Sequence, residues 1–382
     1  MYRIGIIGYG RRMCALTKRF TESGKAEIVA ITDLEENKKL VDERCEKFGG
    51  VGAKFYTDAE EMLKNEKLDG VCIGTRCSTH TKYALLVAKY NLPMTLEKPV
   101  CTTDEDLMRL EEIADAMNDK TVVSFPLRVS AVIKTVKEII DSGKLGTIEH
   151  VQAYNNVPYG RGYYHKWYRD ENETGGLFLQ KSTHDFDYIN YLLGDRKPVR
   201  ICAMESKQIF KGDKPAGMLC ENCDEAKTCP ESPENVKKLG DGYEMGKFCC
   251  FAEDTGNHDS ASVIVEYDSG MHVVYSQNFV VRTDAAGKRG ARLIGYKGSL
   301  EFDWMTSKII VHRHLENVTE EYTIGGVESS HFGGDDELVE NFFRIIDGTD
   351  VSHATLKQGI LSAKMCLMAR KSAQEHVFCD II

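Results

Sequence analysis

An apolar stretch from Arg3 to Gly8 runs into Gly8-Tyr9-Gly10-Arg11-Arg12-Met13 and on into an amphipathic segment, Arg11 to Ser23. A glycine pair that closes a strand and opens a helix restricts the fold more than any other feature of this chain. A residue without Cβ makes the tight strand-to-helix turn, and the helix then aims its N-terminal amides above the sheet edge. The rhythm continues downstream. Strand-like Glu27 to Asp33, Asp69 to Gly74 and Met94 to Glu97 alternate with helix-like Glu35 to Phe48, His80 to Tyr90 and Thr103 to Met117. Such alternation predicts a parallel sheet with crossover helices.

After about Val123 the pattern changes. Thr147 to Tyr154, Ala261 to Asp268, Met271 to Asn278 and Lys308 to His314 alternate with period two, and Asp268-Ser269-Gly270 is a hairpin signal. Two helical segments, Asp335 to Ile346 and Leu356 to Ala373, close the chain. The fold class is therefore α/β. Residues 1–122 are expected to form a Rossmann dinucleotide-binding domain with a parallel sheet. Residues 123–382 are expected to form an α+β domain on a mainly antiparallel sheet. Within it, 212–250 lacks periodicity and reads as an inserted, cysteine-bearing loop.

In the glycine turn, Gly8 permits the turn and Gly10 lets the backbone approach a pyrophosphate, with Tyr9 between them. Met13 stands where the fingerprint has a third glycine, which predicts wider spacing between helix and strand. Asp33 ends the next strand, where a carboxylate accepts hydrogen bonds from the adenosine ribose and repels a 2′-phosphate; this favours NAD. Arg11 and Arg12 could each meet a phosphate and leave NADP open. Thr75, Arg76 and His80 follow one later strand, and Glu97-Lys98-Pro99 another. Both lie at the carboxyl edge, where open α/β sheets bind ligands, and all count as candidate cofactor contacts.

The net charge of −10 argues against nucleic acid and anionic membrane as partners. No apolar run reaches the roughly 18 residues of a membrane span. The first residues lead straight into a strand, leaving no room for a signal peptide, and thirteen cysteines is an odd number. The expected compartment is the cytoplasm, with reduced thiols or metal ligands. Cys220-x-x-Cys223, Cys229 and Cys250 are a candidate structural zinc set, weighed against free thiols.

The glycine turn, Glu97-Lys98-Pro99 and Gly175-Gly176-Leu177-Phe178-Leu179-Gln180-Lys181-Ser182-Thr183-His184-Asp185-Phe186-Asp187 together resemble the Gfo/Idh/MocA oxidoreductases, the family of glucose–fructose oxidoreductase and inositol dehydrogenase. The similarity spans essentially the whole chain, and it makes the sheet of residues 123–382 an open one serving substrate binding and self-association. It implies hydride transfer between a nicotinamide cofactor and a secondary hydroxyl of a sugar, sugar derivative or cyclitol, by a homodimer or homotetramer. By the same resemblance, Lys98 matches the lysine that hydrogen-bonds the reacting hydroxyl and helps move its proton. His184 matches the histidine on the substrate's other side. Oxidising an alcohol needs a proton acceptor at the hydroxyl while hydride leaves, and both residue types suit that task.

Gln180 departs from the family, which usually carries an aspartate there; glutamine can orient a hydroxyl but cannot take its proton. Proton transfer then falls to Lys98 and His184, or to a nearby acid such as Asp185. Arg128, Tyr164 and Trp167 join Gln180 as candidate substrate contacts, since aromatic faces stack on sugar C–H surfaces. Asp187 is read as capping or orienting the following helix. Two other functions fit the same residues. One is glycoside cleavage by transient oxidation and elimination, with the cofactor recycled. The other is a non-catalytic nicotinamide-binding regulator, which would need neither Lys98 nor His184.

Overall fold

Six short strands build the first sheet of this computed structural model: β1 (Tyr2–Ile7), β2 (Ala26–Thr32), β3 (Lys54–Tyr56), β4 (Gly70–Ile73), β5 (Met94–Leu96) and β6 (Thr121–Val123). They pair in parallel in the order β3-β2-β1-β4-β5-β6. Every residue of β4 and β6 is buried, as expected where helices cover both faces of a parallel sheet. The crossovers are α1 (Arg11–Ser23), α2 (Lys38–Phe48), α3 (Ala59–Asn65), α4 (His80–Lys89) and α5 (Asp104–Met117). Helix α1 buries Met13, Cys14, Thr17 and Phe20, and stops at Gly24 in the left-handed region. Helix α5 starts where Thr103 accepts the Asp106 amide, and three acids occupy its first turn. Strand order reverses between β1 and β4. Their carboxyl ends therefore flank the crevice at which such sheets bind ligands.

The structure describes residues 1–238, 246–325 and 330–381. Met1–Lys134, Phe186–Tyr188 and Val327–Lys364 form one unit; Thr135–Asp185, Ile189–Gly326 and Met365–Ile382 form the other. The division is not the single cut at 122/123 that the sequence suggests. The apolar side of α1 needs a cover, and a helix far along the chain, Gly334–Ile346, supplies it. Phe342 and Phe343 of that helix pack their rings on Phe20, with centroids 6.2 and 5.4 Å away. Phe342 also fills the space over Gly70, where a Cβ would meet its ring at 2.6 Å.

Among the described residues, the second unit holds nine strands: β7 (Ile148–Asn156), β8 (Pro198–Ser206), β9 (Ser260–Tyr267), β10 (His272–Asn278), β11 (Lys288–Gly295), β12 (Gly298–Asp303), β13 (Lys308–Arg313), β14 (Val318–Thr323) and β15 (Cys379–Asp380). Their order is β14-β13-β12-β11-β7-β10-β9-β8-β15, antiparallel except for β7 with β10. Burial alternates along β9 and β10. One face of the sheet is thus packed and the other is exposed. The hairpin at Asp268-Ser269-Gly270 forms as expected, with Gly270 at φ +84. The segment between β8 and β9 contains a helix, Pro233–Lys238, and a turn at Cys220–Asn222. Two isolated bridges, Lys214 with Ala252 and Leu219 with Phe248, tie its ends together. Among the described residues, no helix is long and apolar enough to cross a membrane.

Candidate active site

The glycine turn is built as its sequence demands. Gly8 has φ +82, and a Cβ there would stand 2.6 Å from the Thr75 side chain. Gly10 leads into α1, whose N-terminus has no side-chain cap, and a Cβ on Gly10 would find nothing nearer than the Gly74 carbonyl at 3.6 Å. An uncapped helix start with open space before it suits an anionic pyrophosphate. Asp33, half-buried at the end of β2, accepts the Tyr9 and Leu34 amides at 2.8 Å each and the Asn37 side chain at 2.7 Å. The turn is thereby fixed to the carboxylate expected to read the ribose. These groups fit a dinucleotide.

Several expected cofactor contacts are occupied by protein instead. The Tyr9 ring is buried and its hydroxyl donates to the Gly49 carbonyl at 2.8 Å, while its amide is on Asp33 and its carbonyl accepts Arg44 at 2.6 Å. Arg12 donates to Glu97 at 2.9 Å, to Ser124 at 3.2 Å and to Asp335. Two carboxylates thus hold the guanidinium that was expected to meet a phosphate, and Glu97 is its ion-pair partner. Burial pushes the Asp335 carboxyl up, but His331 and Arg12 outweigh it and hold it well below the usual range. His80 is buried, with its ring nitrogens 2.7 Å from the Pro99 carbonyl and 3.2 Å from that of Thr75. It ties the loop after β4 to the loop after β5, and burial lowers its pKa. His80 therefore positions Thr75 and the Lys98-Pro99 segment. Lys98 is half-buried just beyond β5; Arg11 and Arg76 are exposed.

In the second unit, Gly175 and Gly176 both take positive φ, and the chain then winds through a π-helical turn, Phe178–Ser182, into helix Thr183–Leu193. Such wide turns are common at functional sites. Gln180 is buried and its amide donates to the Thr174 carbonyl at 3.4 Å. His184 is 9% exposed in the first turn of the helix. Asp185 is fully buried and accepts Asn155, Tyr275 and Arg289, each at 2.8 Å. With three donors on it, this acid is an anchor for Arg289 and Tyr275, and not the proton acceptor that the sequence left open.

Lys181 is a residue that sequence reasoning passed over. It is only 5% exposed, donates to the Tyr159 hydroxyl, and lies 4.2 and 5.2 Å from the Tyr159 and Tyr163 ring centroids. Burial, with Arg289 nearby, drives its pKa well down. A perturbed amine in a glycine-led turn is a candidate functional position. The available signal was a lysine just after the apolar Leu177-Phe178-Leu179 run, within the motif that carries His184.

Two expected substrate contacts, Arg128 and Tyr164, are tied up by protein groups. Arg128 is buried and grips Asp187 through two bonds of 2.9 and 2.6 Å, while also donating to the His353 carbonyl and to Gln358. Burial raises Asp187 to about 6 despite the arginine. Asp187 is thus Arg128's partner, and no cap role appears. Tyr164 is fully buried, its hydroxyl on the His258 carbonyl at 2.6 Å and its ring 4.0 Å from Phe210. Half-buried Trp167 stacks on Tyr168 at 4.0 Å. Of the expected zinc set, Cys250 instead sits in an apolar cluster with Val157, Tyr164, Leu177, Phe210 and Phe279.

A parallel sheet with a glycine turn at its reversal point is the arrangement of a dinucleotide-binding domain, and comparison with known proteins gives the class. Residues 2–125 match the oxidoreductase family with an NAD-binding Rossmann fold, and residues 133–301 match the GFO/IDH/MocA C-terminal domain. The chain belongs to the Gfo/Idh/MocA family and is an oxidoreductase. It is 29% identical over 330 residues to YteT of Bacillus subtilis (strain 168), named only as an oxidoreductase, covering 76% of each chain. It is 26% identical over 195 residues to the myo-inositol 2-dehydrogenase of Thermotoga maritima, covering 50% of this chain and 55% of that one. In fold it resembles levoglucosan dehydrogenase, solved with NADH and levoglucosan, with TM-score 0.76 at 17% identity over 100% and 99% of the two chains.

Proposed function

We propose that this enzyme transfers a hydride between NAD and a secondary hydroxyl of a sugar, sugar derivative or cyclitol. The observation that carries this reading is the Asp33 carboxylate bonded to the Tyr9 amide of the glycine turn. A carboxylate there favours the free ribose hydroxyls of NAD over the 2′-phosphate of NADP. The engagement of Arg12 by Glu97 and Asp335 removes one of the two cations that favoured NADP. The dinucleotide, when bound, supplies the hydride acceptor. Lys98 is the proposed hydrogen-bond partner of the reacting hydroxyl and carrier of its proton, and His184 the second polar contact. Lys181, its amine held toward the neutral form by burial, is a third group that can meet a substrate oxygen. Trp167 keeps its proposed place as an aromatic contact. Inositol and levoglucosan dehydrogenases among the similar proteins support a polyol substrate.

The working form is proposed to be a homodimer or homotetramer joined through the exposed face of the β7–β15 sheet. The proposed compartment is the cytoplasm, where thiols like the thirteen of this chain stay reduced.

The turning of Gln180 onto the Thr174 carbonyl favours one alternative, glycoside cleavage by transient oxidation, because no acid stands at that position. One assay separates the two. Purified enzyme and NAD are mixed with sugars, cyclitols and nitrophenyl glycosides while NADH absorbance and aglycone release are followed together. NADH rising with substrate consumed supports the dehydrogenase. Aglycone release without net NADH overturns it in favour of the cofactor-recycling glycosidase.

A further inference from the structure

We propose that the segment between β8 and β9 binds one divalent cation of the zinc class through the thiolates of Cys220, Cys223, Cys229 and Cys249. The need for a cross-link is physical. The described residues of this segment form little regular structure, and structural metals hold together chains that lack a core of their own.

The backbone brings these cysteines together. Cys220 opens the turn Cys220–Asn222, and the Cys223 amide donates to its carbonyl at 3.3 Å, so the chain folds back between the two thiols. Leu219 bridges Phe248 in antiparallel fashion, with the Cys220 amide on the Lys247 carbonyl at 2.9 Å and the Cys249 amide on that of Met218 at 2.8 Å. The Cys220 thiol lies 3.6 Å from the Phe248 carbonyl, the residue just before Cys249. Cys229 is fixed nearby: its amide donates to the Glu225 carbonyl at 2.8 Å, and its carbonyl accepts Asn235 at 2.9 Å. Cys220 lies within electrostatic reach of Cys249, Cys229 and Cys223, and Cys249 within reach of Cys223 and Cys229. Arg169, itself paired with Asp254, also acts on both Cys220 and Cys249.

Among the described residues, the one trio of donors already within 4.8 Å of one another is a rival set, His165, Glu231 and Cys250. The four cysteines must therefore close up around a cation. The other ring nitrogen of His165 is 2.7 Å from the Phe248 carbonyl. The charges of the rival set argue against a cation. Glu231 already pairs with Arg161 at 3.2 Å and Arg282 at 3.1 Å. A dication beside two guanidiniums, against one carboxylate and one thiolate, would leave two positive charges buried, a costly arrangement. Four thiolates around one dication leave two negative charges beside Arg169. Binding there releases the four thiol protons to solvent, with no change of redox state.

The test uses the full-length protein. Zinc is quantified in the purified chain, and alkylation of each cysteine is mapped by mass spectrometry before and after chelation. About one zinc per chain is expected. Chelation should speed alkylation of Cys220, Cys223, Cys229 and Cys249 roughly tenfold or more, since free thiols regain their reactivity. Added cobalt should produce a thiolate charge-transfer band that Cys249→Ser loses and Cys250→Ser keeps. Absence of metal and of any cobalt band overturns the proposal. So does metal that survives Cys249→Ser but is lost in Cys250→Ser or Glu231→Gln, which assigns it to the rival set. The mapping needs no variant, so a misfolded substitution does not blunt the result.

Discussion

Met13 fills the space that Gly74 leaves open: a Cβ on Gly74 would lie 2.4 Å from Met13 Cγ and 2.9 Å from its sulfur. The fingerprint's third glycine lets helix and strand approach. Here the larger residue is on α1 and the glycine has moved to the chain just past β4. Gly74→Ala should therefore cost about 1–3 kcal/mol by overpacking and weaken NAD binding. Adding Met13→Ala should recover most of both losses. Denaturant unfolding and dinucleotide titration of the single and double variants measure this, and strictly additive effects would contradict the pairing.

Arg128 and Asp187 form a buried pair rather than a substrate clamp. Arg128→Met leaves a buried carboxylate without its partner and should destabilise the chain by about 3–5 kcal/mol. The double variant Arg128→Met with Asp187→Leu should be less destabilised than the single one. KM for the substrate should change little in whatever fraction remains folded. A large rise in KM with unchanged stability would return Arg128 to the substrate site.

The pH dependence of stability should report Lys181. Its ordinary pKa is 10.5, and burial lowers it in the folded chain. Between the folded value and 10.5 the unfolded chain holds a proton that the folded chain lacks. Stability from this group therefore rises with pH across that window and falls as pH drops through it. Lys181→Met should flatten that slope, stabilising the enzyme most at the acidic end. Thermal unfolding across the pH range checks the sign, and parallel curves for both proteins would refute it.

Lys98→Met should lower kcat by about 10²- to 10⁴-fold while disturbing NAD affinity far less, because it removes a proton carrier and leaves the glycine turn intact. Steady-state kinetics with the best polyol from the assay, beside NAD titration by tryptophan fluorescence, gives the split. Loss confined to NAD affinity would make Lys98 a cofactor residue only.

What could be read in sequence and what could not divides along the chain's own physics. Gly8, Gly10 and Asp33 were legible because turn geometry and strand ends are local, and local periodicity announced β1, β2, β4 and β5 of the first sheet, but not the three-residue β3. Lys98 and His184 were nominated by their motifs. Strands β8, β11, β12 and β14 were not singled out. In β11 and β14, charged residues and glycine blur the alternation that only sheet pairing makes sense of. Side chains such as Arg12, His80, Arg128, Tyr164 and Cys250 looked like ligands because their chemistry suits ligands. Their partners, Asp335, Pro99, Asp187, His258 and Phe210, mostly lie far away in sequence, so tertiary packing decided that these groups were already satisfied. The same holds for Lys181, whose lowered pKa comes from burial. By itself the sequence determined a dinucleotide turn, a two-part α/β architecture and the family; the tertiary structure alone decided which polar groups remain for a ligand, because burial and pairing are properties of residues that meet only when the chain is folded.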